Sequence, residues 1–201
     1  MGNIVFQFEN VNIRFPKLSR LFRSRKRSHL ETTLNDINLM IAQSSQNIYP
    51  RLLNKLVQLS ESEYGFLARI IDQSHDDNEP FRVEVLSISN IAWNSTSLEF
   101  YRNHFNESER VCMNLPNTLF LESIMKGRPL LINKYDQTRN ILPPGHPLVR
   151  RTLVIPYSFN DASLPTLLLC VCNKFERYTK ADIKSMQEIL SIAALLSVRI
   201  D

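Results

Sequence analysis

Leu131–Pro156 reads LINKYDQTRNILPPGHPLVRRTLVIP. It opens as strand with LLIN and closes as strand with TLVIP. Between them runs a long polar connection carrying Tyr135, one of four histidines and one of four glycines. A loop of that length inside a compact domain is usually functional or mobile. Pro143, Pro144 and Pro147 each fix their own φ and restrict the residue before them. A long connection that is also stiffened reads as a pocket wall or lid, with the rest of the chain as its scaffold.

Working outward, the upstream segment Thr118–Lys126 reads as a helix capped by Asn117. Gly127 is placed to end it in the left-handed conformation. Pro129 blocks continuation, and LLIN follows. Downstream, Arg151–Phe159 and Thr166–Asn173 read as strands joined by the turn NDASLP. Thr179-Lys180-Ala181-Asp182 resembles a capping box opening a last helix through Val198. That helix carries two apolar stripes: Ile183, Met186, Leu190 and Ala193/Ala194, then Ile189, Ile192 and Leu196. Two apolar faces imply burial on two sides, one on the sheet, the other on the helix of residues 28–44 or on a second subunit.

Earlier in the chain, Tyr64–Ile71 reads as the first central strand and DQSHDDNEP as a hairpin loop. Phe81–Trp93 reads as a long strand whose alternation slips between Val85 and Leu86, predicting a bulge. Ser97–Phe105 reads as a short helix. Ser28–Glu31 forms a capping box, followed by Leu30, Leu34, Ile37 and Ile41 at helical spacing. Asn47 and Pro50 signal a second helix with Leu52, Leu53, Leu56 and Leu59 on its buried face. Residues 4–15 alternate in part and read as a strand. Strands lying between first and last helices fit an α+β layer, helices against one antiparallel sheet.

Composition narrows the function. The 201 residues suit one domain with an extension, and 43% hydrophobic content supplies a sizeable core. With only four glycines, neither GxGxxG nor GxxxxGK[ST] is present, which removes both nucleotide-phosphate loops. GxSxG and HExxH are absent too, so no enzyme is expected. The net charge of +4 is uneven: residues 1–27 hold seven Lys/Arg and one Glu, the remainder 17 and 19. This arm reads either as a basic amphipathic helix for anionic membrane or nucleic acid, or as a solvated tail. MGNIVFQFENVN lacks the basic-then-apolar order of a signal peptide, and LLLCVC is far short of a membrane span. The expectation is a cytoplasmic protein in a reducing compartment, with any output passing through a partner or through dimerisation. Cys170 and Cys172 lie two apart on a predicted strand, hence on one face, and read as buried reduced thiols.

Asn133-x-x-Asp136-x-x-Arg139, LPPGHP and LVIP together resemble the GAF domains of bacterial signalling proteins, in the subgroup carrying LPPGHP. SEYGFLARI (62–70), SNIAWN (89–94), LPNTLFLESIMKGRPLLIN (115–133) and NKFERYTKADI (173–183) fall in the family's order, covering about residues 50–200. The resemblance implies an α+β domain over residues 28–201 with a central antiparallel sheet of about six strands. Terminal helices would pack on one face and a loop and short-helix pocket on the other. It implies a regulatory or sensor module for a small molecule, dimeric through its terminal helices. It also implies a structural salt bridge between Lys174 and Asp182.

The candidate ligand residues are Trp93, Asn133, Asp136, Arg139 and His146. An indole walls a pocket and donates one hydrogen bond, or simply packs in a core. Asn133 and Asp136 bond backbone within the loop or face a ligand. Arg139, like Arg150 and Arg151, either reads an anion with paired hydrogen bonds or closes an internal ion pair, Arg139 with Asp136. His146 either meets a ligand or pins the loop on a backbone carbonyl. No second His or Cys stands at ligand spacing to His146, so no metal is expected, and no cofactor is named. Relatives usually carry glycine just before LPPGHP, where Asn140 and Ile141 stand here. That departure motivates the alternative of an interaction module with a degenerate pocket.

Overall fold

A computed structural model of the chain describes residues 5–8, 11–14, 31–37, 39, 48–72, 82–89, 94–95, 98–99, 111–115, 119–136, 146–158 and 165–197. The helices are α1 (31–37), α2 (Ile48–Leu59), α3 (Leu119–Met125) and α4 (Lys180–Ser197). The strands are β1 (Val5–Phe8), β2 (Val11–Arg14), β3 (Tyr64–Asp72), β4 (Arg82–Ile88), β5 (Val111–Asn114), β6 (Leu130–Ile132), β7 (Thr152–Tyr157) and β8 (Leu167–Cys172).

Six strands form one antiparallel sheet in the order β5-β4-β3-β8-β7-β6. β8 therefore sits in the middle, which is why LLLCVC is buried at every position. A central strand covered on both faces has no polar side to show. The sheet count agrees with the expected central sheet of about six strands. Within the segment read as one strand, Val5–Phe8 and Val11–Arg14 pair as a separate two-stranded sheet, β1–β2. The strand that periodicity does not predict is β5, whose four residues, VCMN, are too few to show a period. Phe81–Trp93 is strand over Arg82–Ile88, and its continuation at 90–93 lies outside the described residues, as does most of Ser97–Phe105.

The period-2 alternation divides the core in two. Odd residues of β8 (Leu167, Leu169, Val171) and of β7 (Leu153, Ile155) join Leu67 against Leu52, Leu53 and Leu56 of α2 and Met186, Ile189 and Leu190 of α4. Ile37 of α1 lies in the same cluster. Ile189 and Ile192 of the second apolar stripe of α4 thus find cover within the chain. Even residues Leu168, Cys170 and Cys172, with Val154 and with Tyr64 and Ala68 of β3, face the other way. Ile124 of α3 and Val149 of the long connection cover them. The register of β3 on β4 shifts between Ala68↔Val85 and Leu67↔Ser87, leaving Leu86 as the extra residue of a bulge.

Glycine is required at two described positions. A Cβ on Gly65 would stand 2.5 Å from the Cys170 carbonyl oxygen, so only glycine lets β3 and β8 approach this closely. Gly127, at φ 56°, closes α3 in a Schellman turn, with Arg128 N–H on Ser123 O and Gly127 N–H on Ile124 O. Glu61 does the same for α2 without being glycine. Its φ is 55°, and the Ser62 and Glu61 N–H groups bond Val57 O and Gln58 O.

Candidate functional site at the ends of the long connection

β6 and β7 pair from Leu130↔Val154 to Ile132↔Thr152. The ladder is prolonged by Tyr135 N–H donating to Arg150 O at 3.1 Å. That bond is the neck of the connection, so both its ends are held by sheet geometry. Residues 137–145 within it lie outside the described residues.

The returning end is secured by Asn173, a non-glycine residue at φ 62° just past β8. Its Oδ1 accepts from Arg150 N at 2.8 Å, and its Nδ2 donates to Leu148 O at 2.8 Å and to Glu63 Oε2 at 2.7 Å. Asparagine tolerates the left-handed region because its short side chain bonds locally, which is the use made of it here. Arg150 pairs with the other Glu63 oxygen at 2.7 Å, with both side chains about half exposed. Arg151 Nη1 donates to Lys174 O at 3.2 Å. The two described arginines of the expected anion-binding set are thus engaged within the chain, while Arg139 lies outside the described residues, as does Trp93.

Asn133 bonds the backbone of Tyr178. Its Nδ2 donates to Tyr178 O at 3.1 Å, and its Oδ1 accepts from Tyr178 N at 2.7 Å. Both ends of the amide take part in fastening the end of β6 to the approach to α4. Of the two readings for Asn133, these bonds give it a backbone-fastening part, with one amide N–H and one oxygen lone pair beyond them. Asp136 is exposed where the connection leaves the sheet.

His146 stands beside Tyr64, ring centroids 6.0 Å apart and nearly perpendicular. Its Nδ1–H donates to Pro147 O at 2.8 Å, which leaves Nε2 as the acceptor of the neutral ring. Burial pushes its pKa below the ordinary histidine value, against the opposing pull of that carbonyl bond. Tyr64 O–H lies 3.5 Å from Leu148 O, and burial drives its phenol far above the ordinary range. Tyr135 is pushed up to about 12, again mainly by burial and then by the nearby thiols.

Beneath these rings lie the thiols. Cys170 Sγ and Cys172 Sγ are 3.8 Å apart, and Thr152 Oγ1 of β7 is 3.3 Å from the first and 3.4 Å from the second. Both cysteines are buried and reduced, whereas Cys112 is exposed. In this mutual contact the Cys172 thiol is lowered by its hydrogen bond with Cys170, which in turn raises Cys170. The sequence placed both cysteines on one face. It did not bring Tyr64, Thr152 or His146 to that face, because this needs the pairing of β3 with β8 and β7.

On the helix side, Lys174 Nζ donates to Asp182 Oδ1 at 2.7 Å with both side chains about 95% buried. Asp182 Oδ2 also accepts from Thr179 N at 2.7 Å and Thr179 Oγ1 at 2.8 Å. Burial pushes this carboxyl up, but those three hydrogen bonds outweigh it and hold it below the ordinary aspartate value.

Among described residues no helix is long and apolar enough to cross a membrane. None of the curated proteins matches the chain. Solved structures do. The GAF domain of an Acinetobacter phosphoenolpyruvate-protein phosphotransferase is 12% identical with a TM-score of 0.55, over 87% of this chain and 97% of that one. The GAF domain of the Coxiella burnetii phosphoenolpyruvate-protein phosphotransferase is 11% identical with a TM-score of 0.55, over 88% and 97%. At such identities the likeness speaks for the fold alone. The GAF domain family model matches residues 42–196, from before α2 to the last turn of α4, and the chain belongs to the GAF domain family.

Proposed function

We propose that this chain is a sensor module, a member of a family of regulatory domains, that binds a small molecule on the sheet face opposite α2 and α4. The observation that carries the reading is that the two ends of the long connection, both tied to the sheet, set His146 against the Tyr64 ring and Tyr135 against the core cluster that contains Tyr64. Trp93, Arg139 and Asp136 would complete the wall, and the L-P-P-G-H-P signature supports placing the chain with bacterial signalling modules that carry it. Output would pass through dimerisation by the terminal helices or through a partner, in the cytoplasm. The basic arm, residues 1–27, would be set apart from the domain of residues 28–201 and free to meet an anionic surface.

A second reading, an interaction module without a ligand, is favoured by the bonding of the Asn133 amide to Tyr178 and by Phe175, which is 90% exposed. A thermal-shift panel of cyclic nucleotides, amino acids, organic acids and tetrapyrroles separates the two. A ligand at 100 times its Kd adds about 2.7 kcal/mol, a rise of about 5–10 °C for a domain of this size. A shift abolished by His146→Ala or Arg139→Ala supports the sensor. A shift indifferent to both moves the site elsewhere, and a flat panel favours the interaction module.

A further inference from the structure

We infer that the hairpin β1–β2, with the basic run that follows it, docks this chain on the surface of an anionic phospholipid bilayer. The inference deepens the part given above to the arm. It is separable from the sensor's ligand, because vesicle binding and a ligand-induced thermal shift are read independently.

The first support is the register of the hairpin. Val5 pairs with Arg14, Phe6 with Ile13, Gln7 with Asn12 and Phe8 with Val11. Residues directly opposite in an antiparallel pair share a face, and successive residues alternate. Phe6, Phe8, Val11 and Ile13 therefore occupy one face, and Val5, Gln7, Asn12 and Arg14 the other. Read as a single strand, the segment alternates only in part. Paired, it gathers four apolar residues, two of them aromatic, into one surface.

The second support is that the main sheet leaves this surface no place. The hairpin pairs with none of the six strands. Among the described residues both faces of that sheet have cover, one from α2 and α4, the other from α3 and Val149. A two-stranded hairpin is marginal in water by itself and needs a surface for its apolar face.

Charge selects that surface. Arg14–Arg27 reads RFPKLSRLFRSRKR, with seven basic residues, no acidic one, and Phe15, Leu18, Leu21 and Phe22 among them. An anionic leaflet attracts such a run, and its interface takes up apolar side chains beside the cations. Nucleic acid would answer the charge but leave the apolar face in water. The two features together fit lipid. Strands of four residues are far short of the ~9–11 that cross a bilayer. Unpaired edge amides are also costly in hydrocarbon. The hairpin therefore lies in the interface, its apolar face about 5–10 Å into the headgroup boundary.

The test is co-sedimentation of the full chain with phosphatidylcholine–phosphatidylglycerol vesicles, with pure phosphatidylcholine vesicles as control and duplex DNA as competitor. Retention is expected on the anionic vesicles alone. It should weaken as salt rises from about 0.1 M to about 1 M, which shortens the screening length from about 10 Å to about 3 Å. Phe6→Ser with Phe8→Ser should weaken it about tenfold or more. Changing Arg23, Arg25, Lys26 and Arg27 to Ser should weaken it about fivefold for each cation removed. Gln7→Ser, on the polar face, should leave it intact, and all variants should keep the wild-type thermal midpoint. Should the double Phe variant fail to fold, amide exchange on the wild-type chain decides: residues 5–14 should slow on anionic vesicles while β8 is unchanged. No retention at low salt, equal retention on neutral vesicles, full retention by the folded double Phe variant, unaltered exchange over 5–14, or binding to DNA without binding to vesicles overturns the assignment.

Discussion

Asn133 and Tyr178 exchange two hydrogen bonds across 45 residues of sequence, the side-chain amide of one matching the backbone amide of the other. The arrangement reproduces a β-bridge with a side chain on one side, and it joins β6 to the approach to α4. Asn133→Ala leaves two partly buried backbone groups without partners and should cost about 1–3 kcal/mol. Urea unfolding reads this as a lower midpoint at unchanged slope. An unchanged midpoint, with loss of a ligand-induced shift, would return Asn133 to the binding site.

The Lys174–Asp182 pair should behave as a buried pair does when one member is removed. Lys174→Met strands a buried carboxylate and should cost about 3–5 kcal/mol. Adding Asp182→Asn should cost less than the sum of the single changes, because the second removes the charge that the first left exposed to the core. The folded pKa of Asp182 lies below its unfolded value. Its stabilisation is therefore complete above the ordinary aspartate pKa and is lost as pH falls through the lower folded value. Acid titration of the two chains should show this loss in the wild type and a smaller one in Lys174→Met.

Glu61 and Gly127 occupy equivalent helix-ending positions at nearly the same φ, so exchange of side chains should have opposite signs. Glu61→Gly relieves left-handed strain of about 1–2 kcal/mol but loosens the unfolded chain by about 0.4–1 kcal/mol. The lost contact to Lys174, 3.7 Å from a largely exposed carboxylate, contributes little. The net expectation is a gain of about 0.5–1 kcal/mol. Gly127→Ala should lose about 1 kcal/mol from its φ alone, since nothing lies within 4 Å of an added Cβ. Thermal unfolding of both variants checks the reversal of sign.

Gly65→Ala should act on stability. The added methyl meets a backbone oxygen at 2.5 Å and cannot be relieved by a rotamer change. A loss of about 1–3 kcal/mol is expected. Denaturant midpoints of Gly65→Ala against the wild type measure it.

His146 should impose a pH dependence near neutrality. Its folded pKa is lowered, so between that value and about 6.5 the unfolded chain binds the extra proton. Stability should therefore fall as pH drops through this window and recover above it. His146→Gln should flatten the profile there without touching the acid limb that belongs to Asp182. Denaturant midpoints from pH 7.5 to 5 measure it.

Much of this architecture was legible because local chemistry and tertiary demand coincide. Asn117 to Pro129 spells a helix, its left-handed stop and a strand start, and Gly127 adopts that conformation. The slip at Leu86 announced a bulge that the pairing of β3 with β4 contains. β5 escaped notice because four residues carry no period, and its strand character comes from pairing with β4.

By itself, the sequence determined the order of elements, the two-sided burial of α4, the shared face of Cys170 and Cys172 and the absence of nucleotide-phosphate loops. These follow from periodicities of 2 and 3.6 and from residue types, which are local properties. Only the tertiary structure decided that β8 lies between β3 and β7, setting Thr152 against both sulfurs and Tyr64 beside His146. Only it showed the amide of Asn133 bonded to both backbone groups of Tyr178. Distances between residues far apart in sequence depend on strand order and register, and these are selected by the burial of the whole sheet rather than by any one stretch.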